Sequence, residues 1–324
     1  MIVLLFLGFR GRLSCSGGKI IFAPNLNKSI AADLPSIWAV NHIMASNIKS
    51  SIIWEALFNS IGVLSGEWGL YALPYANYSR HGVNSGKADT VTFRVISGVA
   101  RNLQEYGVLS GFIGYENSDT DMPQSNELES NARYIGGSYY NEFVPSKTIR
   151  PYIKTTASYT NTNPNIYTKS NSADTYLNII SAGVAAGVNV TVGNSVFTPE
   201  FGFDYDYFKI DRYTLGSEKY SRATLKLPSL STTIGWQQEY NNNLYTTLKG
   251  GLKHLLEDSH KTALRDGGNY LDKVESNMPN RFGMVQAGVG YRFGWNLNLN
   301  LNYQGGFAND IQNHTAMAEV EYRF

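Results

Sequence analysis

The spacing of the connections constrains this chain more than any other feature of its sequence. From about Gly66 the sequence divides into twelve segments of roughly 10 to 15 residues in which apolar and polar side chains alternate. The connections after every second segment are short: 103–105, 145–148, Asn194, 241–243 and 294–295. The other connections are long and polar: 79–88, 117–131, 160–173, 212–221, 257–280 and 307–314. An even number of antiparallel strands with short turns at one end and long loops at the other is typical of bacterial outer-membrane barrels.

The alternation itself indicates two faces that meet different surroundings. In NLNLNLNY (296–303) every second residue is Leu or Tyr and the others are Asn. In the closing MAEVEYRF, Val320, Tyr322 and Phe324 lie on one face, with Glu319 and Glu321 on the other. A soluble β-sandwich also alternates, but it does not separate short from long connections, and aromatic residues at strand ends favour a membrane girdle. The sequence therefore predicts an all-β fold, a 12-stranded antiparallel transmembrane β-barrel with its long connections outside the cell.

Composition and motifs exclude several other classes of function. A net charge of +1 without a basic stripe argues against nucleic acid as a partner. Cys15 is the only cysteine, so neither an internal disulfide nor a cysteine-based zinc site is expected. The sequence contains no run of 18 or more apolar residues, so a transmembrane helix is not expected. The five histidines are scattered outside known catalytic motifs, so we expect no enzyme activity, no metal site and no cofactor.

Four stretches in order resemble a known family. They are the first strand from Trp68 to Tyr75, YGVLSGFIGYE (106–116), TPEFGFDYDYF (198–208) and the terminal EYRF. Together with the strand count, they resemble the C-terminal β-domain of classical autotransporters, the type V secretion translocators of Gram-negative bacteria. The resemblance covers about residues 46–324 and implies a barrel that inserts in the outer membrane and exports or anchors an N-terminal passenger.

The resemblance also implies partners and an assembly signal. The expected partners are outer-membrane lipid, the chain's own passenger and the barrel assembly machinery, and the barrel is expected to act as a monomer. Val320, Tyr322 and Phe324 resemble the terminal signal that this machinery reads. The passenger's own activity is not specified by the barrel, because different passengers are carried by similar barrels.

The family fold implies a helix in the lumen just before the first strand, and residues 34–62 are the candidate. Asp33 and Ser36 are possible N-caps, and Lys49 and Glu55 are the charged residues expected to meet the barrel wall. The alternative is a peripheral amphipathic helix.

The candidate helix divides the chain into three parts, with residues 1–33 as a passenger remnant or irregular leader, 34–62 as the linker or plug helix and 63–324 as the barrel. The apolar MIVLLFLGF start is followed, not preceded, by its basic residues, which favours an irregular start over a signal peptide. Because little sequence precedes the helix, we expect a fragment, a truncated product or one piece of a split gene.

The residues expected to line the lumen are mainly charged or amide side chains: Glu200, Asp204, Asp206, Arg292, Asn298, Glu319 and Glu321. The acidic row on 200–206 is interpreted as carboxylates paired with barrel Lys and Arg, with an acid–base role in cleaving a threaded linker as the alternative. Some family members release their passenger at an Asn-Asn step, but Asn47 is followed here by Ile48 and Asn59 by Ser60. A porin-like pore, or a surface adhesin barrel without a secretion role, is the alternative function.

Overall fold

The computed structural model places most of the chain in one antiparallel barrel. It describes the following residues: 13–16, 19–22, 33–43, 68–83, 86–143, 146, 148–240, 243–257, 259–266, 269–294 and 296–324. Side chains are described in these ranges except within 13–16, 19–22, 259–266 and 269–277. A helix, α1, occupies residues 33–43, and a 3₁₀ turn occupies Gln104–Tyr106.

Twelve strands form the barrel, and they correspond one to one to the twelve predicted segments. In chain order they are β3 (Trp68–Val83), β4 (Gly86–Asn102), β5 (Val108–Met122), β6 (Asn126–Glu142), β7 (Ile149–Tyr167), β9 (Leu177–Val192), β10 (Ser195–Ile210), β13 (Ala223–Glu239), β14 (Leu244–Leu255), β17 (Arg281–Phe293), β18 (Leu297–Ala308) and β19 (Ile311–Arg323). Each pairs with the next, and β19 pairs with β3, so the sheet closes on itself. Main-chain bonds between Trp68 and Phe324 extend this closing pair, with N···O distances of 3.1 and 3.0 Å. The predicted 12-stranded barrel is confirmed.

In the described ranges, seven shorter strands lie outside this ring. A hairpin of β1 (Leu13–Ser16) and β2 (Lys19–Phe22) precedes α1, and β8 (Ser172–Asp174) extends the outer end of β7. The other four form a separate sheet at the long-connection end, in the order β11 (Tyr213–Leu215), β12 (Glu218–Tyr220), β15 (Ser259–Asp266) and β16 (Asn269–Asn277).

The two faces of each strand differ in burial as the alternation predicts. On β18, Leu297 and Leu301 are 36% and 52% exposed, whereas Asn298 and Asn300 are 3% and 2% exposed. In a closed barrel the exposed face points outward and the buried face points into the lumen. The outer surface is therefore apolar and the lumen largely polar, the reverse of a soluble barrel.

The long connections differ from their prediction. Residues 117–131 were expected to be a loop, but β5 continues to Met122 and β6 starts at Asn126, so only 123–125 form the turn. The strands likewise extend through much of 79–88, 160–173 and 307–314. Main-chain pairing does not depend on lipid, so polar strands continue the barrel wall beyond the apolar band. The short turns between 102 and 297 lie where the sequence predicts them.

Interior tyrosines are accommodated by glycines on neighbouring strands. A Cβ atom at Gly98 would overlap the ring of Tyr71, and one at Gly114 would overlap the ring of Tyr134. The missing side chain therefore makes room for a large ring to lie flat against the wall. The same relation holds for three other pairs, Gly136 with Phe112, Gly187 with Tyr152, and Gly290 with Tyr245.

Candidate functional site

Helix α1 lies inside the barrel, at the end that carries the long connections. Leu34, Ile37, Val40 and Ile43 are each no more than 2% exposed, and they recur at helical spacing. They belong to one apolar cluster with inward residues of the outer barrel half: Ala88, Met122, Leu128, Ile166, Leu177, Ile179, Phe208, Ile210, Leu225, Leu227, Leu255, Phe282 and Ile311. The predicted helix thus lies in the lumen for the residues described, 33–43.

The outer end of this cluster is closed by the hairpin of β11 and β12. Tyr213 and Tyr220 stack with their ring centroids 4.8 Å apart, and both belong to the cluster around the helix. The Tyr220 hydroxyl donates to Glu218 Oε2 at 2.7 Å. Burial, with the Glu218 carboxylate beside the hydroxyl, raises the pKa of Tyr220. These contacts cover the lumen with apolar and aromatic groups on the side where the helix begins.

A polar contact fixes α1 to the wall. His42 Nε2 lies 3.0 Å from Asp206 Oδ1 and 2.9 Å from Ser181 Oγ, while its ring packs edge-on against Phe208. The His42 and Asp206 side chains are both nearly inaccessible, at 6% and 3% exposed. A second contact joins Asn41 to β3, where the Ser79 hydroxyl donates to Asn41 Oδ1 at 3.2 Å. The helix is therefore held at a defined register, not merely enclosed.

The acidic row of β10 faces lysines of β7 and β14, which lie one strand further along the sheet on either side. Glu200 accepts from Lys154 Nζ at 2.7 Å and from the Tyr152 hydroxyl at 2.7 Å, with Lys249 Nζ at 3.7 Å. Asp204 Oδ2 lies 3.0 Å from Lys253 Nζ. Each carboxylate thus meets a cation, which offsets the cost of removing it from water. Opposite charges alternate along this part of the wall.

A second polar network lies near the short-turn end. Arg292 Nη2 bonds Glu239 Oε1 at 3.0 Å, and Arg323 Nε bonds Glu321 Oε1 at 3.1 Å. Asn300 Nδ2 donates to Glu319 Oε2 at 3.0 Å, and Asn298 and Asn300 both contact the Tyr245 hydroxyl. The predicted lumen residues therefore form two groups. Glu200, Asp204 and Asp206 lie in mid-barrel, and the group near the short turns consists of Arg292, Asn298, Glu319 and Glu321.

Sequence reasoning missed His42, Arg94 and the three lysines of the wall. Arg94 contacts Glu116 directly across β4 and β5, and its guanidinium lies 5.0 Å from the Tyr75 ring and 5.3 Å from the Tyr134 ring. The inward positions of Lys249 and Lys253 follow from strand alternation, which could have indicated them. His42 and Asp206 are 164 residues apart, and no local pattern links them.

The predicted terminal signal lies on the outer surface. Val320, Tyr322 and Phe324 are 42%, 45% and 57% exposed. Tyr322 and Phe324 stack at 6.4 Å between centroids beside the short-turn end. Their role in assembly stays a prediction. Lys49 and Glu55 lie outside the described residues, as does most of 34–62.

No group of three or more His, Cys, Asp or Glu in the described ranges is arranged to hold a metal ion. None of the helices described is both long and apolar enough to cross a membrane.

A closed antiparallel barrel with an apolar outer face, a polar lumen and segregated short turns defines an outer-membrane β-barrel. Residues 72–304 match the sequence family described as the autotransporter beta-domain, and the chain belongs to that family. It is an outer-membrane translocator barrel of type V secretion, as in Gram-negative bacteria. Comparison with curated proteins gives no significant match.

Solved translocator domains share this fold. The structure is similar to the translocator domain of NalP from Neisseria meningitidis, with a TM-score of 0.72 and 17% identity over 91% of this chain and 100% of that one. It is also similar to the transport unit of AIDA-I from Escherichia coli, with a TM-score of 0.64 and 12% identity over 79% and 90%. The β-domain of the Bordetella autotransporter BrkA gives a TM-score of 0.55 and 15% identity over 80% and 100%.

Proposed function

We propose that this chain exports a passenger through its own lumen and then anchors it at the cell surface, with α1 as the trailing segment that stays in the pore. The observation that carries the proposal is the burial of α1 inside the barrel together with its specific contact to Asp206. A detached tail would not share an apolar cluster with ten barrel strands and the β11–β12 hairpin.

The charge pattern of the wall suits a conduit for a polypeptide. Along β7, β10 and β14 the lumen presents Lys154, Glu200, Lys249, Asp204 and Lys253 as a series of opposite charges. Since the cations and anions are paired, the wall has little net charge to retain a passing segment of either sign. Transport then ends when the apolar face of α1 reaches the apolar ring at the outer half of the barrel.

The terminal strand and the acidic row of β10 bear on the partners and the chemistry of the barrel. We expect the barrel assembly machinery to read the exposed row of Val320, Tyr322 and Phe324, and the inserted barrel to work as a monomer. We also expect no catalysis, because every carboxylate of the acidic row on β10 faces a cationic or histidine partner that explains it.

Surface display tests the export role directly. An epitope tag placed before residue 33 should reach antibody on intact cells, because the N-terminal end of α1 lies at the outer end of the barrel. A tag inserted in the short turn at 241–243 is the matched control and should stay inaccessible until the outer membrane is permeabilised. An inserted, heat-modifiable barrel whose N-terminal tag stays in the periplasm would contradict export and favour the porin-like pore.

A further inference from the structure

The outer surface of the barrel changes chemistry abruptly between two successive rows of side chains near the long-connection end. The strand register defines a lower row of Ile135, Tyr159, Ile180, Tyr207 and Lys226. The row directly above it consists of Arg133, Asn161, Asn178, Lys209 and Thr224. Ile135, Tyr159 and Ile180 are 58%, 44% and 53% exposed, so this part of the lower row faces lipid tails. The upper row marks the edge of the apolar band.

The hydrogen bonds of the tyrosine hydroxyls indicate that this edge is an interface between lipid and water. Tyr159 donates to Asn178 Oδ1 at 2.6 Å, and Asn161 Nδ2 donates to the same oxygen at 2.9 Å. Tyr115, which lies opposite Arg133, donates to Asn131 Oδ1 at 2.6 Å. Tyrosine rings on the membrane side, with polar atoms on the side away from the membrane, are typical of an interfacial girdle.

The basic residues at this edge lack acidic partners in the described part of the chain. Arg133 and Lys226 are exposed and Lys209 is half-buried, and no ion pair involves them among the described residues. Elsewhere on the same surface, Arg80 is neutralised by Asp89 at 2.7 Å. Glu129 lies four residues beyond Arg133 along β6, about 13 Å along the strand in the direction away from the membrane.

We propose that the upper row and Lys226, together the basic edge, bind the phosphorylated glycolipid of the outer leaflet. Arg133 and Lys209 are three strands apart, about 14 Å, and two asparagines lie between them. A headgroup with a phosphate at each end of a disaccharide would place its phosphates on the cations and its hydroxyls on the amides. Its acyl chains would then lie over Ile135, Tyr159 and Ile180. The inference rests on the outward orientation of the long connections, and it does not require that the chain export a passenger.

Binding of the purified full-length barrel to lipopolysaccharide in detergent tests the proposal. Replacing the three cations together (R133Q, K209Q, K226Q) should weaken binding by about 100-fold at low ionic strength, since each basic residue near an anionic surface contributes about fivefold. Lipopolysaccharide stripped of its phosphates should bind the unaltered barrel as weakly as the intact glycolipid binds the triple variant. Excess inorganic phosphate should compete poorly. One phosphate ion cannot reach both Arg133 and Lys209, and it has no acyl chains to cover Ile135, Tyr159 and Ile180.

Two further variants control for folding and for non-specific charge. Arg101→Gln removes an exposed cation at the opposite end of the barrel, where the guanidinium lies 5.0 Å from Trp68, and it should leave binding unchanged. The charge-preserving set R133K, K209R and K226R should restore most of the affinity. Equal binding by the triple variant, or an equal loss from Arg101→Gln, would overturn the proposal, as would full binding of the dephosphorylated glycolipid.

Discussion

The contact between His42 and Asp206 gives the sharpest quantitative prediction for how the helix is retained. Replacing His42 with Ala removes its contact with the buried Asp206 carboxylate and its edge contact with Phe208. The carboxylate keeps its hydrogen bond with Ser181 and the nearby charge of Lys253. A hydrogen bond to a charged group contributes about 1.5–3 kcal/mol, so we take about 2 kcal/mol for its loss. If the helix leaves the lumen reversibly, the released fraction should rise by about 30-fold.

A double-mutant cycle isolates this contact from other effects. His42→Ala, Asp206→Ala and the double variant are compared by urea unfolding of the inserted barrel, and the coupling energy should be about 1–3 kcal/mol. Single-channel recording of the same proteins measures how often the pore opens. His314→Ala is the matched control, because His314 is exposed on the outer face and its ring bonds the outward Tyr303. Additive single effects, or an opening frequency no higher in His42→Ala than in the control, would refute the reasoning.

Three other predictions test the faces, the terminus and a buried ion pair. Val289→Arg on the lipid face should cost about 2–4 kcal/mol in folding into vesicles, whereas Asn298→Arg, which lies opposite Glu321, should cost far less; equal costs would contradict the barrel orientation. Phe324→Ser should lower the yield of inserted barrel in cells more than the urea midpoint of folded protein, and an unchanged yield would leave Phe324 an ordinary girdle residue. Glu116→Gln should destabilise the barrel by about 3–5 kcal/mol because it leaves Arg94 buried among tyrosine rings, and a loss below about 1 kcal/mol would show that water already reaches this pair.

The sequence predicts the strand number, the two faces and the short turns because these depend on local alternation. The prediction of long loops was wrong for a physical reason. Beyond the apolar band the outer face meets water, so the outward residues of 117–131 are polar and the apolar–polar alternation is lost, while the main chains stay paired. The inward position of Asp206 can be predicted, because every second residue of a strand faces the same side of the sheet. Its partner cannot be predicted, since the pairing of His42 with Asp206 depends on how deep the helix enters.

The long-range pairings of the wall were inaccessible for a related reason. Lys154 and Glu200 come from strands that are not adjacent, with β9 between them, so neither a motif nor a hairpin register brings them together. Only the closure of the sheet, with its curvature and inward side chains, sets these distances. Arg94 and Glu116 are different, since they lie opposite each other on consecutive strands and follow once the register of β4 and β5 is known.

Single-channel recording of the full-length chain beside a chain that starts after Gly62 tests the central claim most directly. One helix with its side chains is about 10–12 Å across and nearly fills a twelve-stranded lumen. The full-length barrel should therefore conduct rarely and weakly in planar bilayers. The shortened barrel should show a large and steady conductance. Equal conductance of the two proteins would contradict the account, because the helix would then not occupy the pore.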